Sequence, residues 1–127
     1  MADVNRGNRP LSPHLQIYKL GITGNLSILH RLTGVALTFG ALLGVFWFLA
    51  AATGPQYFAI VDAIMTSWIG NLILLGSLWA LAYHTLNGIR HLVWDLGYGF
   101  DLDDVRKSGI AVVAGSVVLT LLVAAIA

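Results

Sequence analysis

The charged residues of this sequence, seven basic and six acidic, leave three long windows without a single one: 32–61, 63–89 and 108–127. About twenty helical residues, rising roughly 1.5 Å each, cross the ~30 Å hydrocarbon core of a bilayer. Every window is long enough. Apolar and polar residues do not alternate with period two, which argues against a membrane barrel, and a helix satisfies its own backbone groups as lipid requires. The expected fold is an all-α membrane protein with three transmembrane helices, spanning about 28–53, 63–90 and 108–127. Gly54-Pro55 closes the first span, because proline cannot continue a helix.

Only 10% of residues are charged and 57% are apolar, against about 25% charged in an ordinary soluble domain. That excludes a free-standing soluble enzyme. A net charge of +1 offers no basic surface for nucleic acid. The chain has no cysteine, so it cannot ligate an iron–sulfur cluster, form a disulfide or attach a haem covalently. Any metal must be held by histidine or carboxylate. There is no Ser-His-Asp set, paired intramembrane carboxylate, phosphate-binding glycine loop or HExxH, so hydrolysis and phosphoryl transfer find no support.

Lysine and arginine are retained on the cytoplasmic side of a membrane. Arg6, Arg9, Lys19 and Arg31 precede the first span, and Arg90, Arg106 and Lys107 lie between the second and third. The 54–62 loop has none. The amino terminus is therefore expected in the cytoplasm and the carboxyl terminus on the far side. Tyr18, Trp94, Tyr98 and Phe100 would form the cytoplasmic aromatic belt, with Tyr57, Phe58 and Trp68 at the opposite interface. Residues 1–26 resemble neither a secretory signal nor a transit peptide and read as a cytoplasmic segment, which favours a bacterial inner membrane. No repeat or second domain is seen, so 1–127 reads as one domain, its first helix beginning between Thr23 and Ser27.

His84 lies inside the second window, at a depth where ionisable side chains are costly and usually face a bundle interior or a ligand. Ser77, Ala80, His84, Gly88 and His91 share one helical face. Small residues around a histidine leave room for a flat porphyrin, although the same stripe also serves close helix packing. His91 is two turns nearer the cytoplasm and cannot share an iron with His84. A six-coordinate haem needs a second imidazole, most simply from a partner chain. Ser27 and Arg31, at i and i+4, can grip a quinone carbonyl and stabilise the negative charge that develops on reduction. Equally, Ser27 reads as a helix cap and Arg31 as a snorkelling charge. Ala36, Gly40 and Gly44 form a small-residue packing face, and Ala111 with Gly115 a similar patch. Asp95 reads as a loop charge or as a candidate proton route.

Three segments carry a resemblance: RPLSPHLQIY at 9–18, SILHRLTG at 27–34 and AYHTLNGIRHLVWD at 82–95. Together with the three-span length, they resemble the cytochrome b membrane-anchor subunits of succinate dehydrogenase, respiratory complex II. The resemblance implies a helical bundle completed by a second, smaller anchor subunit, and electron transfer from succinate to quinone. It implies one haem b shared between the anchors, with His84 as an axial ligand of the iron and His30 and Arg31 near the propionates. Ser27 and Arg31 would line the ubiquinone site, with Asp95 near a proton route to it. A flavoprotein and an iron–sulfur subunit would be the soluble partners, and this chain would carry no succinate-oxidising site. His14 and His91 match the pattern without an assigned ligand role. The alternatives are a quinol:fumarate reductase anchor and a non-catalytic helical scaffold or transport subunit.

Overall fold

The structure, a computed structural model, describes Gly7 and residues 18–127. His14 and all of the 9–18 motif except Tyr18 lie outside the described residues. The order of elements is α1 (Ile22–Thr53), α2 (Pro55–Met65), α3 (Trp68–Asp95) and α4 (Leu102–Ile126). Helices α1, α3 and α4 are long and apolar enough to cross a membrane. At 32 residues, α1 is about 48 Å long. It outreaches a ~30 Å core, so its ends rise toward the interfaces or the helix tilts.

Local chemistry sets these boundaries. α1 starts at Ile22 after Gly21, which supplies no side-chain cap. Ser27 therefore sits within the helix rather than capping it. The 54–62 stretch, expected as a loop, is mostly the helix α2. Pro55 occupies its first turn, where a missing N–H costs nothing, so Gly54-Pro55 both stops one helix and starts the next. Its 11 residues, about 16 Å, are too few to cross. α3 starts only at Trp68, because the Ser67 hydroxyl accepts the Gly70 N–H in an N-cap. Asp103 and Asp104 in the first turn of α4 suit the positive end of its dipole, and the helix begins six residues before the charge-free window. Gly97 and Gly99 take φ of 88° and 75°, and they turn the chain between α3 and α4.

In lipid, helices gain little from apolar burial against one another, and close packing with interhelical hydrogen bonds replaces it. Tyr83 is fully buried, and its hydroxyl donates to the Leu26 carbonyl at 2.8 Å. It packs in one cluster with Leu26 and Val112. Gly109 lets α4 approach α1 there, since a Cβ would come 2.7 Å from Leu26 Cδ1. The start of α1, the end of α3 and the start of α4 thus meet at one end of the bundle. Near the other end, Trp47 Nε1 donates to Asp62 Oδ1 at 3.2 Å and ties α1 to α2.

Candidate functional site

His84 faces α1. Its Nδ1 lies 3.1 Å from the His30 carbonyl oxygen and 3.3 Å from Thr33 Oγ1. A carbonyl only accepts, so Nδ1 carries the proton and donates it. The Thr33 hydroxyl has carbonyls of its own, Leu29 and His30, each at 2.9 Å, which leaves its oxygen free to accept from Nδ1. With Nδ1 protonated, Nε2 keeps its lone pair, the state in which a neutral imidazole binds metal. Two groups of α1 therefore favour one tautomer of a residue on α3: the His30 backbone carbonyl and the Thr33 side-chain hydroxyl that leans on it.

The room beside His84 comes from α1 and, within the small-residue stripe of α3, from Gly88, where a Cβ would meet nothing within 4 Å. Ala80 is buried, and Ser77 packs on Gly40, where a Cβ would lie 3.2 Å from its Oγ. Gly34, Leu37, Thr38 and Ala41 border a groove of about 490 Å³ that has His84 on its other side. At Gly34 a Cβ would stand 3.1 Å from His84 Cε1, so glycine is what lets the imidazole lie against the helix. Of the Ala36-Gly40-Gly44 face, Gly40 meets α3, whereas Gly44 has nothing within 4 Å.

His30 joins this site directly. Its ring stacks on that of His84 with centroids 3.8 Å apart and planes 10° from parallel. His91 follows at 5.4 Å from His30, and Trp94 lies 5.1 Å from His91. His30 Nδ1 is buried with no hydrogen-bond partner. Ser27 is half-buried and Arg31 exposed, one turn apart at the same end of the bundle. Asp95, the last residue of α3, is exposed at that end too. The structure brings His30 onto His84; it shows no contact among Ser27, Arg31 and Asp95.

Arg90, counted above only as a topology-setting charge, is buried. Its Nε donates to Ser108 Oγ at 2.9 Å, one terminal nitrogen to the Val105 carbonyl at 2.8 Å, and the other to Asn87 Oδ1 at 3.4 Å. Its guanidinium lies 4.0 Å from the centre of the Trp94 ring, whose Nε1 donates to the Gly99 carbonyl. The signal was present: Tyr83, Asn87, Arg90 and Trp94 fall at i, i+4, i+7 and i+11, one helical face. Thr33 and Gly34 lie inside the SILHRLTG motif, yet only the contact with His84 reveals their work.

The family model for the succinate dehydrogenase/fumarate reductase transmembrane subunit matches residues 5–123. The chain is 54% identical over 122 residues to the succinate dehydrogenase cytochrome b556 subunit of Paracoccus denitrificans, covering 96% of this chain and 94% of that one. It is 44% identical over 114 residues to the cytochrome b556 subunit of Rickettsia conorii, covering 90% and 89%. The cytochrome b560 subunit of Marchantia polymorpha is 40% identical over 121 residues, covering 91% and 88%. A match of that extent, on a chain with three membrane-length helices, places it plainly: the protein belongs to the succinate dehydrogenase/fumarate reductase transmembrane subunit family.

Proposed function

We propose that this chain anchors a succinate:quinone oxidoreductase in the membrane, holds one haem b through His84 and forms part of the ubiquinone reduction site. The observation that carries the reading is the placement of His84. A membrane-embedded imidazole with Nδ1 3.1 Å from a carbonyl oxygen and an apolar groove beside it has the chemistry of an axial ligand, since a neutral ring that donates from Nδ1 keeps the Nε2 lone pair for iron. Bound haem would supply a one-electron centre held through His84. The second axial ligand is assigned to the smaller anchor subunit, as the resemblance to the complex II anchors implies.

The remaining residues work on geometry and charge. The His30 carbonyl and Thr33 orient the ligand ring, and the His30 ring covers one of its faces. The buried Nδ1 of His30 and the Arg31 guanidinium are suited to haem propionates, which accept hydrogen bonds and carry negative charge. Ser27 and Arg31 would bind a quinone carbonyl oxygen and stabilise the charge that builds there, with Asp95 on a route by which protons arrive. Electrons would come from a flavoprotein and an iron–sulfur subunit docked at this end, the cytoplasmic one on the distribution of basic residues. The family match removes support for a scaffold or transport subunit. The relatives compared above are named for succinate dehydrogenase, which favours quinone reduction over the fumarate reductase direction.

The test is a reduced-minus-oxidised spectrum of the detergent-purified complex, with the co-purifying chains identified. A b-type α-band together with a flavoprotein and an iron–sulfur protein is expected; their joint absence would sink the proposal. In the same complex Arg31→Ala should cut quinone reduction by about 10²-fold or more and leave succinate oxidation by an artificial dye nearly intact. Equal losses would remove Arg31 from the quinone site.

A further inference from the structure

On the side of α3 away from His84, α3 and α4 enclose a second groove of about 490 Å³. Leu86 and Ile89 of α3 and Ala111 and Gly115 of α4 line its apolar length, and Arg90, Tyr98 and Asp104 stand at its polar mouth. From Asp104 to Gly115 it follows α4 for about 16 Å at 1.5 Å per residue. That is close to the depth of one leaflet, half of a ~30 Å core.

The charges at the mouth have no charged side-chain partner among the described residues. Arg90 is only 6% exposed, and its partners are all neutral: a hydroxyl, a backbone carbonyl, a side-chain amide and an indole face. Those bonds use three of the five guanidinium donors. No carboxylate offsets this cation among the described residues. Asp104 lines the same mouth, is exposed and pairs with none of the described residues. A cation and an anion flank one opening without neutralising each other, above an apolar trough one leaflet deep.

We propose that the α3–α4 groove binds a phospholipid with a primary-amine headgroup of the ethanolamine type. Its phosphate sits against Arg90, its ammonium against Asp104, and one acyl chain lies along Leu86, Ile89, Ala111 and Gly115. The bilayer delivers such an amphiphile at the depth the groove occupies. A carboxylate bonds an ammonium that still carries N–H donors better than a choline that has none. A glycerol headgroup would leave Asp104 facing an uncharged end. A partner helix is about 10 Å across with its side chains, and it would have to bring a buried carboxylate to Arg90 and a cation to Asp104. The site is separate from His84 and stands without the haem assignment.

The experiment uses the whole complex in nanodiscs of equimolar palmitoyl-oleoyl phosphatidylethanolamine, phosphatidylglycerol and phosphatidylcholine. Native mass spectrometry then reads the lipid retained after detergent washing. One retained phosphatidylethanolamine is expected, enriched about fivefold over each competitor, the worth of one charge contact near a membrane surface. Asp104→Asn should reduce that enrichment to below about twofold. Ala111→Trp, which fills the trough from an exposed position, should abolish retention while the complex keeps its subunits and spectrum. Phosphatidylethanolamine retained equally by Ala111→Trp, or no enrichment in the unaltered complex, would overturn the proposal. So would a photoreactive residue at position 111 that crosslinks to the second anchor subunit instead of lipid, since the groove would then be a subunit interface.

Discussion

The two faces of α3 are built on opposite rules. Toward α4, Asn87 and Arg90 are buried, Tyr83 sits at the seam with α1 through its bond to Leu26, and Ser116 lies fully buried on the facing helix. Three of the five Arg90 donors there end on protein acceptors, and the groove at its mouth is open to lipid. Toward α1, His84 is half-buried beside open space, and one nitrogen of the neighbouring His30 is buried without a partner. One face bonds most of its polar groups within the chain, Asn87 Nδ2 alone being buried there without a partner among the described residues, and holds helices together where apolar burial against lipid gains little. The other is ordered but incomplete, and it meets a second molecule with groups already oriented. A membrane helix thus separates holding from binding by the side on which each polar residue falls, although the two sets interleave in sequence as Tyr83, His84, Asn87, Arg90 and His91.

The largest effect that tests this contrast is on the open face. His84→Leu should remove essentially all of the b-type α-band, because the ligand is lost outright and its neighbours supply no substitute held in the same tautomer. The subunits should still assemble, as read by co-purification. An unchanged spectrum would move the ligand elsewhere and erase the distinction between the faces. On the closed face, Arg90→Leu should cost about 1–3 kcal/mol by leaving Asn87 and its α4 partners without their donor. It should read as a lowered thermal midpoint with the α-band position unchanged in the folded fraction. Arg90→Lys should recover only part, since a point charge cannot bond Ser108 and Val105 while stacking on Trp94. If Arg90→Leu displaces the α-band as strongly as changes around His84 do, the faces are not independent.

The spans were legible because lipid leaves the chain so little choice: windows free of charge and about a bilayer long must be helices. His84 was legible for the same reason, as an ionisable residue with no cheap explanation at its depth. The break between α2 and α3 was missed although Ser67 stands directly before the apolar run Trp68–Asp95 in a cap position; hydropathy alone runs straight through it. The packing role of Arg90 is not legible from its position along the chain, which marks it only as interfacial. Only packing shows that its guanidinium turns between α3 and α4 and away from water. Gly34 and Thr33 were invisible for a third reason. Their value lies in a contact fifty residues away in sequence, set by how α1 and α3 lie against each other, and no local pattern encodes that.

Gly34 gives the smallest and sharpest test of the contrast, because Gly40 on the same helix supplies a matched control. A Cβ at Gly34 would stand 3.1 Å from His84 Cε1, and one at Gly40 3.2 Å from Ser77 Oγ. In both variants α1 loses the helix-destabilising glycine, a gain of up to about 1 kcal/mol, and in both a neighbour must give by a few tenths of an ångström. The difference is which neighbour. The Ser77 hydroxyl can turn about one bond, whereas the His84 ring is pinned at Nδ1 by His30 and flanked by the His30 ring. Gly34→Ala must therefore tilt the imidazole or push α1 outward. Disturbing the groups that orient a ligand typically costs about ten- to a hundredfold in affinity. A shift of a few tenths of an ångström should fall at or below the lower end, about two- to tenfold faster haem loss on dilution into a haem-scavenging protein. Gly40→Ala should lose haem at the rate of the unaltered complex. Equal acceleration in both would mean that haem retention follows the general fit of α1 on α3, and the orientation of His84 would then owe nothing special to Gly34.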